Sequence, residues 1–280
     1  MNIVNRSVLD GKKKITTHET VKDTFGFIPY SVWNFTKSKK LMELVGDNKK
    51  GRVADAGNTL SELNPDTVLN SIKLWSDKGD VVLDPFLNRG TTPILSSFLG
   101  RIGLGNDVVK QYVEEVLLQK SNLIKRKHNW AKNIHINCGD ARDIVNTVKN
   151  KFGYKRIDYA ISSPPFWDVE KYVSVEGQMS DIEDYNKFLE DYEYIIGELY
   201  KILEPDKFVT YIVNDFRRDG KYIWFSGDTI KCFMNKGFDL WDFVINVVRT
   251  PHISGIGNAV MKQKRTLKYH EYVLTFKKVG

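Results

Sequence analysis

Short apolar runs alternate along this chain with longer stretches in which apolar residues recur at helical spacing. The short runs predict β-strands, and the longer stretches predict amphipathic helices. The predicted strands cover residues 81–83, 134–136, 157–161, 208–213, 240–247 and 272–276. The predicted helices cover residues 64–75, 93–99, 108–126, 184–203 and 229–234, and another begins near residue 143. Strands separated by helices of this length predict an α/β fold with a doubly wound, mostly parallel sheet.

The N-terminal part of the chain differs from this pattern. Residues 1–56 are polar, with a lysine run at residues 12–14 and a group of aromatic residues, and we interpret them as an arm packed on the core. A chain of 280 residues is long enough for one domain with such an arm. Residues 57–280 are therefore predicted to form a single domain.

The composition limits the classes of partner and location. Lys and Arg number 42 against 35 for Asp and Glu, a formal net charge of +7, which is compatible with a polyanionic partner, although many basic proteins have none. No apolar run approaches the ~20 residues that span a bilayer, and no signal peptide is visible, so we expect a cytoplasmic protein without a membrane segment. Cys138 and Cys232 are too few for a disulfide framework or a zinc site, and we predict no metal.

The third predicted strand runs into the sequence Ser-Ser-Pro-Pro-Phe-Trp at residues 162–167. Two consecutive prolines end the hydrogen bonding of the strand, so the Ser163 hydroxyl and the Pro164 carbonyl should be unpaired at its tip. A polar tip beside the rings of Phe166 and Trp167 suits a flat heterocycle that is both stacked and hydrogen-bonded. A strand end with a proline turn and two core aromatic residues is the alternative.

Three acidic residues, Asp84, Asp107 and Asp140, fall where strands end, and doubly wound sheets bind ligands at the carboxyl ends of their strands. The interval between Asp84 and Asp107 is close to the ~20 residues that separate a nucleotide-binding loop from the acid that holds a ribose. The loop at residues 84–91 lacks the G-x-G-x-x-G pattern and carries an acid that would repel a pyrophosphate. A cationic nucleoside without phosphates, such as S-adenosylmethionine, fits better.

The loop at residues 84–91, Asp-Pro-Phe-Leu-Asn-Arg-Gly-Thr, resembles the D-P-F-x-G-x-G-T cofactor loop of the amino-methylating DNA methyltransferases. Residues 163–166, Ser-Pro-Pro-Phe, resemble their S-P-P-Y/F catalytic motif. The resemblance covers about residues 57–278. It implies a Rossmann-like methyltransferase fold with a seven-stranded sheet and an antiparallel C-terminal strand, and the chain has no room for a separate target-recognition domain.

The resemblance also implies a cofactor and the residues that bind it. S-adenosylmethionine is the expected cofactor, and the helix at residues 64–75 would help to hold its methionine end. Asn88 replaces the first glycine of the loop, and Asn adopts positive φ more readily than other non-glycine residues. The expected cofactor-binding residues are Asp84, Phe86, Asn88, Gly90, Thr91, Asp107 and Asp140.

The matched catalytic motif consists of Ser163, Pro164, Pro165 and Phe166. Ser163 Oγ and the Pro164 carbonyl would accept hydrogen bonds from an exocyclic base amine while Phe166 stacks the base, so that the methyl group is transferred directly. Serine at the first position resembles the cytosine-N4 enzymes, and the absence of a Pro-Cys dipeptide argues against cytosine C5. Adenine N6, an RNA base amine, and an inactive member that only binds nucleic acid are the alternatives.

Such a reaction implies DNA as partner, with a flipped or single-stranded target base. A basic loop at residues 249–268 could contact phosphates, and a solvated loop is the alternative. A restriction endonuclease or a specificity subunit is a further possible partner. Tyr172 is interpreted as a surface tyrosine. The expected nucleic-acid-binding residues are Trp167, Arg249, Lys262, Lys264 and Arg265.

Overall fold

The computed structural model describes residues 21–23, 26–46, 63–248, 262, 264–266 and 268–280. Within these ranges the strands are β1 (Val32–Trp33), β2 (Val81–Asp84), β3 (Ile102–Asp107), β4 (Ile134–Cys138), β5 (Ile157–Ser162), β6 (Leu203–Val213), β7 (Phe216–Arg218), β8 (Lys221–Ile223), β9 (Phe238–Val247) and β10 (His270–Lys278). The α-helices are α1 (Lys39–Leu44), α2 (Pro65–Trp75), α3 (Thr91–Phe98), α4 (Lys110–Lys125), α5 (Ile144–Asn146), α6 (Tyr185–Ile202) and α7 (Phe225–Asn235).

Eight of the described strands form one sheet in the order β1-β9-β10-β6-β5-β2-β3-β4. The neighbours from β6 to β4 pair in parallel, and β10 lies antiparallel between β6 and β9. The predicted fold class, a mostly parallel α/β sheet with an antiparallel C-terminal strand, is confirmed. The strand count differs from the expected seven because β1, only two residues long, pairs in parallel with β9.

Strand β3 was not predicted as a strand because glycine interrupts its apolar run. Gly103 lies where α3 crosses the sheet, and a Cβ at this position would stand 2.2 Å from the Pro93 carbonyl oxygen. The glycine is thus required by close packing of helix on strand. The low strand propensity of glycine explains why the sequence does not predict this strand, which lies between β2 and β4 in the parallel part of the sheet.

Helices cover both faces of the sheet, as predicted. Side chains on successive strand residues point to opposite faces, so Leu83 packs into one core and Val82 into the other. The first core includes α6 and α7, with the ring of Phe233 stacked on Phe276 at 3.8 Å. The second includes α2, α3 and α4, with Ile72 fully buried. The two cores fix the strands whose carboxyl ends form the site.

The predicted helix at residues 64–75 is present as α2, and it is capped by Asn64, whose Oδ1 accepts a hydrogen bond from Asp66 N at 3.0 Å. Of the predicted arm, residues 21–23 and 26–46 are described, and Trp33 stacks on Trp75 at 5.9 Å. The boundary between residues 56 and 57 and the lysine run at residues 12–14 lie outside the described residues, so the division into arm and domain stays a prediction.

Three further features concern the described residues alone. None of their helices combines the length and apolar composition that crossing a membrane requires. No group of three or more His, Cys, Asp and Glu residues among them is arranged to hold a metal ion. Cys138 and Cys232 are both free thiols, the first exposed and the second buried.

Candidate active site

Two adjoining cavities lie at the carboxyl ends of β2, β3 and β5. The first comprises about 500 Å³ and the second about 710 Å³ of space that is partly open to solvent. They share a wall made by Phe86, Asn88, Ser163 and Tyr172. The predicted loop at residues 84–91 and the predicted motif at 163–166 therefore meet in one place, as the sequence analysis expected from their positions at strand ends.

Asp84, the last residue of β2, ties the loop to the neighbouring strand. Its Oδ1 accepts a hydrogen bond from Ser162 Oγ at 2.7 Å and another from Phe86 N at 3.1 Å. The side chain is buried and borders the second cavity. Burial raises the pKa of Asp84 to about 7, although the hydrogen bonds from Ser162 and Thr92 oppose this rise.

Asp107, the last residue of β3, borders the first cavity. Its Oδ1 accepts from Val109 N at 2.9 Å, and its Oδ2 accepts from Asn88 N at 2.8 Å. Burial raises the pKa of Asp107 to about 6, against the effect of these hydrogen bonds. Each carboxylate oxygen can accept a second hydrogen bond, so Asp107 keeps capacity for a ligand hydroxyl.

The substituted loop position, Asn88, has a φ of 41°, so the positive φ expected for this residue is present. Asn88 borders both cavities, and its Oδ1 is buried with no hydrogen-bond partner within the described part of the chain. Gly90 has a φ of 75°, and a Cβ there would stand 2.6 Å from Val116 Cγ1 of α4. The loop thus depends on a left-handed backbone at two positions.

Asp140, which follows β4, borders the first cavity but is held by an arginine that the sequence analysis did not consider. The guanidinium of Arg142 donates to Asp140 Oδ2 at 2.7 Å, to Asp191 Oδ2 at 2.6 Å and to the Gly177 carbonyl at 3.0 Å. Arg142 therefore takes up most of the hydrogen-bonding capacity of the Asp140 carboxylate. Arg142 and Asp191 are 49 residues apart in sequence, so only the folded chain reveals this network.

The predicted catalytic residues follow β5 directly. Ser163 and Pro165 border the first cavity, and Ser163, Pro164 and Phe166 border the second. The ring of Phe166 packs against Phe225 at 5.9 Å, which fixes its plane at the cavity wall. Of these residues only Ser163 reaches both cavities, as expected for a group that would act between a cofactor and a second substrate.

Trp167 has the contacts of a packing residue. Its Nε1 donates to the Ile182 carbonyl at 2.8 Å, and its ring lies 5.1 Å from the ring of Tyr185. These contacts agree with the core alternative, and its role in nucleic-acid binding stays a prediction. In the basic loop, Lys262 and Lys264 are exposed and Arg265 is half-buried, whereas Arg249 lies outside the described residues. The role of that loop also stays a prediction.

Tyr172 is not the surface tyrosine that we expected. It borders both cavities, and its hydroxyl donates to Glu170 Oε2 at 2.7 Å. Burial raises the pKa of Tyr172 well above its usual value. No residue pattern distinguishes this tyrosine from a solvent-exposed one, because its environment is formed by a segment without helix or strand.

Glu271 of β10 is a second residue that the sequence analysis missed. It borders the second cavity, and its Oε1 accepts from Asn246 Nδ2 at 2.7 Å. Burial raises the pKa of Glu271 to about 7. An acid directly before the apolar run of the last strand was the available signal. The second cavity therefore has three carboxyls, Asp84, Glu170 and Glu271, and one cationic residue, Arg89, in its wall. The carboxyls favour a ligand group that is cationic or donates hydrogen bonds.

Comparison with known proteins gives one sequence relative with a short match. No protein-family model matches the chain. A segment of 97 residues is 30% identical to the type II methyltransferase M.HpaI of Haemophilus parainfluenzae. This segment covers 35% of the chain and 27% of that protein. The match thus spans about a quarter of the length of the relative.

Solved structures share the fold over most of the chain. PH1948 from Pyrococcus horikoshii, a proposed RNA methyltransferase, has a TM-score of 0.52 at 15% identity, over 87% of this chain and all of that one. TrmN from Thermus thermophilus has a TM-score of 0.50 at 15% identity, over 79% of this chain and 50% of that one. At such identities the likeness is one of fold, and it supports the Rossmann-like methyltransferase fold that the sequence predicts.

Proposed function

We propose that this chain is an S-adenosylmethionine-dependent methyltransferase that acts on an exocyclic base amine of nucleic acid, with cytosine N4 of DNA as its target. The observation that carries the proposal is the position of Ser163 in the wall shared by the two cavities. One cavity has the acids expected of a nucleoside site, and the other has acceptors for an amine. The partial match to a type II methyltransferase supports the same reaction class.

The residues of the first cavity fit the nucleoside part of S-adenosylmethionine, whereas the expected cofactor-binding residues Asp84 and Thr91 border the second cavity. Asp107 has acceptor capacity for the ribose hydroxyls, and the apolar side chains of Val108 and Met179 offer faces for a flat ring. The unpartnered Asn88 Oδ1 in the shared wall would be satisfied by a donor of the cofactor. The cofactor carries net positive charge, which the acids at this edge favour, and when bound it supplies an electrophilic methyl group.

The second cavity fits the target base. Ser163 Oγ and the Pro164 carbonyl supply two acceptors for the two amine hydrogens, and the Phe166 ring supplies a stacking face. Holding the amine in this way turns its lone pair toward the methyl donor. During transfer, positive charge moves onto the amine, so Asp84 and Glu271, when deprotonated, would stabilise the transition state.

Cytosine N4 is proposed over adenine N6 because the motif begins with serine, as in the cytosine-N4 enzymes that it resembles. The size of the second cavity does not discriminate between the two bases. A flipped or single-stranded base is required, because the amine of a paired base is inaccessible. A restriction endonuclease or a specificity subunit stays a possible partner, and the cytoplasm stays the expected location.

The test is an incubation of the protein with methyl-labelled S-adenosylmethionine and mixed-sequence DNA, with RNA in a parallel reaction. Digestion to nucleosides followed by chromatography should give N4-methylcytosine from DNA. N6-methyladenine as the sole product would show that the target is adenine N6 and not cytosine N4. Label in RNA alone would show that the substrate is RNA and not DNA. Calorimetry measures the affinity of the protein for S-adenosylmethionine in parallel. Cofactor binding without any methyl transfer would overturn the proposed activity.

A further inference from the structure

The hairpin of β7 and β8 follows the carboxyl end of β6 and therefore lies at the edge of the sheet that holds the site. Arg218 pairs with Lys221, which leaves Asp219 and Gly220 as a two-residue turn. Their φ values are 50° and 77°, and the type I′ turn, which matches the twist of a hairpin, requires positive φ at both positions. The hairpin was not predicted from the sequence because this segment is polar and lacks the apolar pattern of a strand.

The hairpin is anchored to the segment that follows the candidate catalytic residues. Arg218 Nε donates to Asp168 Oδ1 at 3.1 Å, and its Nη2 donates to the Asp168 carbonyl at 3.1 Å. The ring of Phe216 lies 6.4 Å from Trp167 and 6.0 Å from Phe225, and Phe225 also packs on Phe166. The hairpin is thus connected to the wall of the second cavity by both polar and aromatic contacts.

Buried Asp215 fixes the other side of the hairpin. Its Oδ2 accepts from the Tyr222 hydroxyl at 2.7 Å, and its Oδ1 accepts from Ser226 N at 2.8 Å. Lys268, just before β10, lies 3.3 Å from the same carboxylate. These contacts join β8, the start of α7 and the start of β10, so the orientation of the hairpin is set by the fold.

The outer face of the hairpin presents cations and aromatic rings to solvent. Arg217 and Lys221 are exposed, and the Arg217 guanidinium lies 5.3 Å from the centre of the Tyr222 ring. Tyr222 is 49% exposed and Trp224 is 65% exposed. Trp224 is nevertheless held in place, because a Cβ on Gly227 would stand 2.4 Å from the indole Cδ2. The glycine allows the indole to lie directly on α7.

Exposed aromatic rings beside cations are the features that bind a single nucleic-acid strand, since bases stack on the rings and phosphates neutralise the cations. An acidic partner would match the charge but would leave the rings without a stacking partner. We propose that the β7–β8 hairpin together with Trp224 holds the DNA strand next to the target base. Arg217 and Lys221 contact phosphates, and Tyr222 and Trp224 stack on neighbouring bases.

This inference rests on the proposed function, because a strand has to be held only if the substrate is a base in nucleic acid. It names the surface that holds the strand, which the proposed reaction leaves open. The strand would pass directly over the second cavity, because Arg218 connects the hairpin to Asp168, five residues after Ser163. A separate recognition domain is then not needed to position the strand.

The test measures the affinity of the whole chain for fluorescein-labelled, mixed-sequence single-stranded DNA by anisotropy over a series of salt concentrations. The double variant Arg217→Ala with Lys221→Ala should reduce the slope of log affinity against log salt by about 1.4, since each phosphate contact on a single strand contributes ~0.7. Trp224→Ala should weaken binding by about 5-fold to 150-fold, the range for one lost stacking interaction.

The matched controls lie at the opposite edge of the sheet. Lys78 and Lys155 are exposed and precede the amino ends of β2 and β5, so changing both to Ala removes the same charge away from the site. Trp241 is 57% exposed near the amino end of β9 and is the control for Trp224. The control variants should keep the parent slope and affinity, and all variants should keep the parent affinity for S-adenosylmethionine.

The outcomes distinguish the hairpin inference from the proposed function. If the parent protein methylates DNA and the hairpin variants keep its affinity and salt slope, the hairpin inference is overturned while the proposed function stands. If hairpin variants lose DNA binding but the parent protein never transfers a methyl group, the proposed function fails alone. A parent protein that binds no nucleic acid overturns both proposals. An equal loss of DNA affinity in the control variants shows that the charges attract DNA non-specifically, and this overturns the hairpin inference. Tighter binding to RNA through the same residues would replace DNA as the occupant.

Discussion

Two carboxyls, the buried Asp84 and the half-buried Glu271, border the second cavity, and loss of solvation raises the pKa of each to about 7. A carboxyl with a raised pKa is neutral below that pH and charged above it. The negative charge that this cavity can offer to a developing cation therefore increases between pH 6 and 8. Bound S-adenosylmethionine, as a cation, favours the deprotonated forms, so the midpoint should lie at or slightly below 7.

Glu271→Gln tests this effect of charge and keeps the shape of the side chain. A Gln oxygen can still accept from Asn246, whereas the negative charge is lost. We expect the methyl-transfer rate of the parent protein to exceed that of the variant by roughly tenfold at pH 8, about 1.4 kcal/mol of transition-state stabilisation. The ratio should fall towards one near pH 5.5, where Glu271 is protonated. Single-turnover rates at saturating cofactor and DNA measure it.

A ratio that stays constant across this pH range would exclude a role for the Glu271 charge. Asp84 titrates in both proteins, so the ratio isolates the contribution of Glu271. Equal cofactor affinities of the parent protein and the variant, measured by calorimetry at each pH, would show that the variant keeps an intact first cavity.

At the scale of elements, the loop at residues 84–91 relies on the left-handed backbone of Asn88 and Gly90. Asn tolerates this conformation, whereas a β-branched residue is strained in it. Asn88→Gly and Asn88→Val both remove the side-chain oxygen, so the difference between them reports on the backbone alone.

We expect Asn88→Gly to bind S-adenosylmethionine about 5-fold to 150-fold more tightly than Asn88→Val, because strain of this kind amounts to about 1–3 kcal/mol. Calorimetry gives the two affinities, and thermal unfolding of the cofactor-free proteins shows whether strain also lowers stability. Equal affinities and equal unfolding temperatures would mean that the conformation of residue 88 does not determine the shape of the loop.

The elements that sequence predicts well are those with continuous apolar patterns. Strands β2 and β5 were predicted because they are apolar runs between turns, and their carboxyl ends gave Asp84 and Ser163 as candidate site residues. Strand β3 was not predicted as a strand because glycine interrupts its apolar run, and Gly103 is required by contact with α3. The β7–β8 hairpin is polar, so its strands have no apolar signal, although Asp219-Gly220 is a typical hairpin turn.

Site residues that depend on distant parts of the chain were not predictable. The Arg142 to Asp191 bond joins residues that have no local relation in sequence. Glu271 reaches the second cavity only because β10 inserts between β6 and β9. Tyr172 lies in a segment without regular structure, where no periodicity indicates which side chains point inward. The sequence therefore predicted which residues at strand ends border the cavities, and it missed the lining residues that topology brings in.

At the scale of the whole molecule, acidic and basic residues occupy different parts of the carboxyl edge of the sheet. The carboxyl edge holds the two cavities, their acids and the hairpin with exposed Arg217 and Lys221. The formal net charge of +7 belongs to the whole chain and would attract DNA from a distance. The acids inside the cavities contribute negative charge, which favours a cationic cofactor and an amine. Charge is thus separated between the surface that would hold the strand and the interior that would perform the transfer.

The central claim is that methyl transfer takes place at Ser163, and single-turnover transfer by Ser163→Ala tests it most directly. The variant should transfer label from S-adenosylmethionine to cytosine N4 roughly 10²-fold more slowly than the parent protein, because one acceptor aimed at the reacting amine is lost. Its cofactor affinity should stay within about twofold of the parent value, and Ser31→Ala, an exposed serine beside β1, should retain the parent rate. A Ser163→Ala protein that methylates DNA at the parent rate would contradict the account.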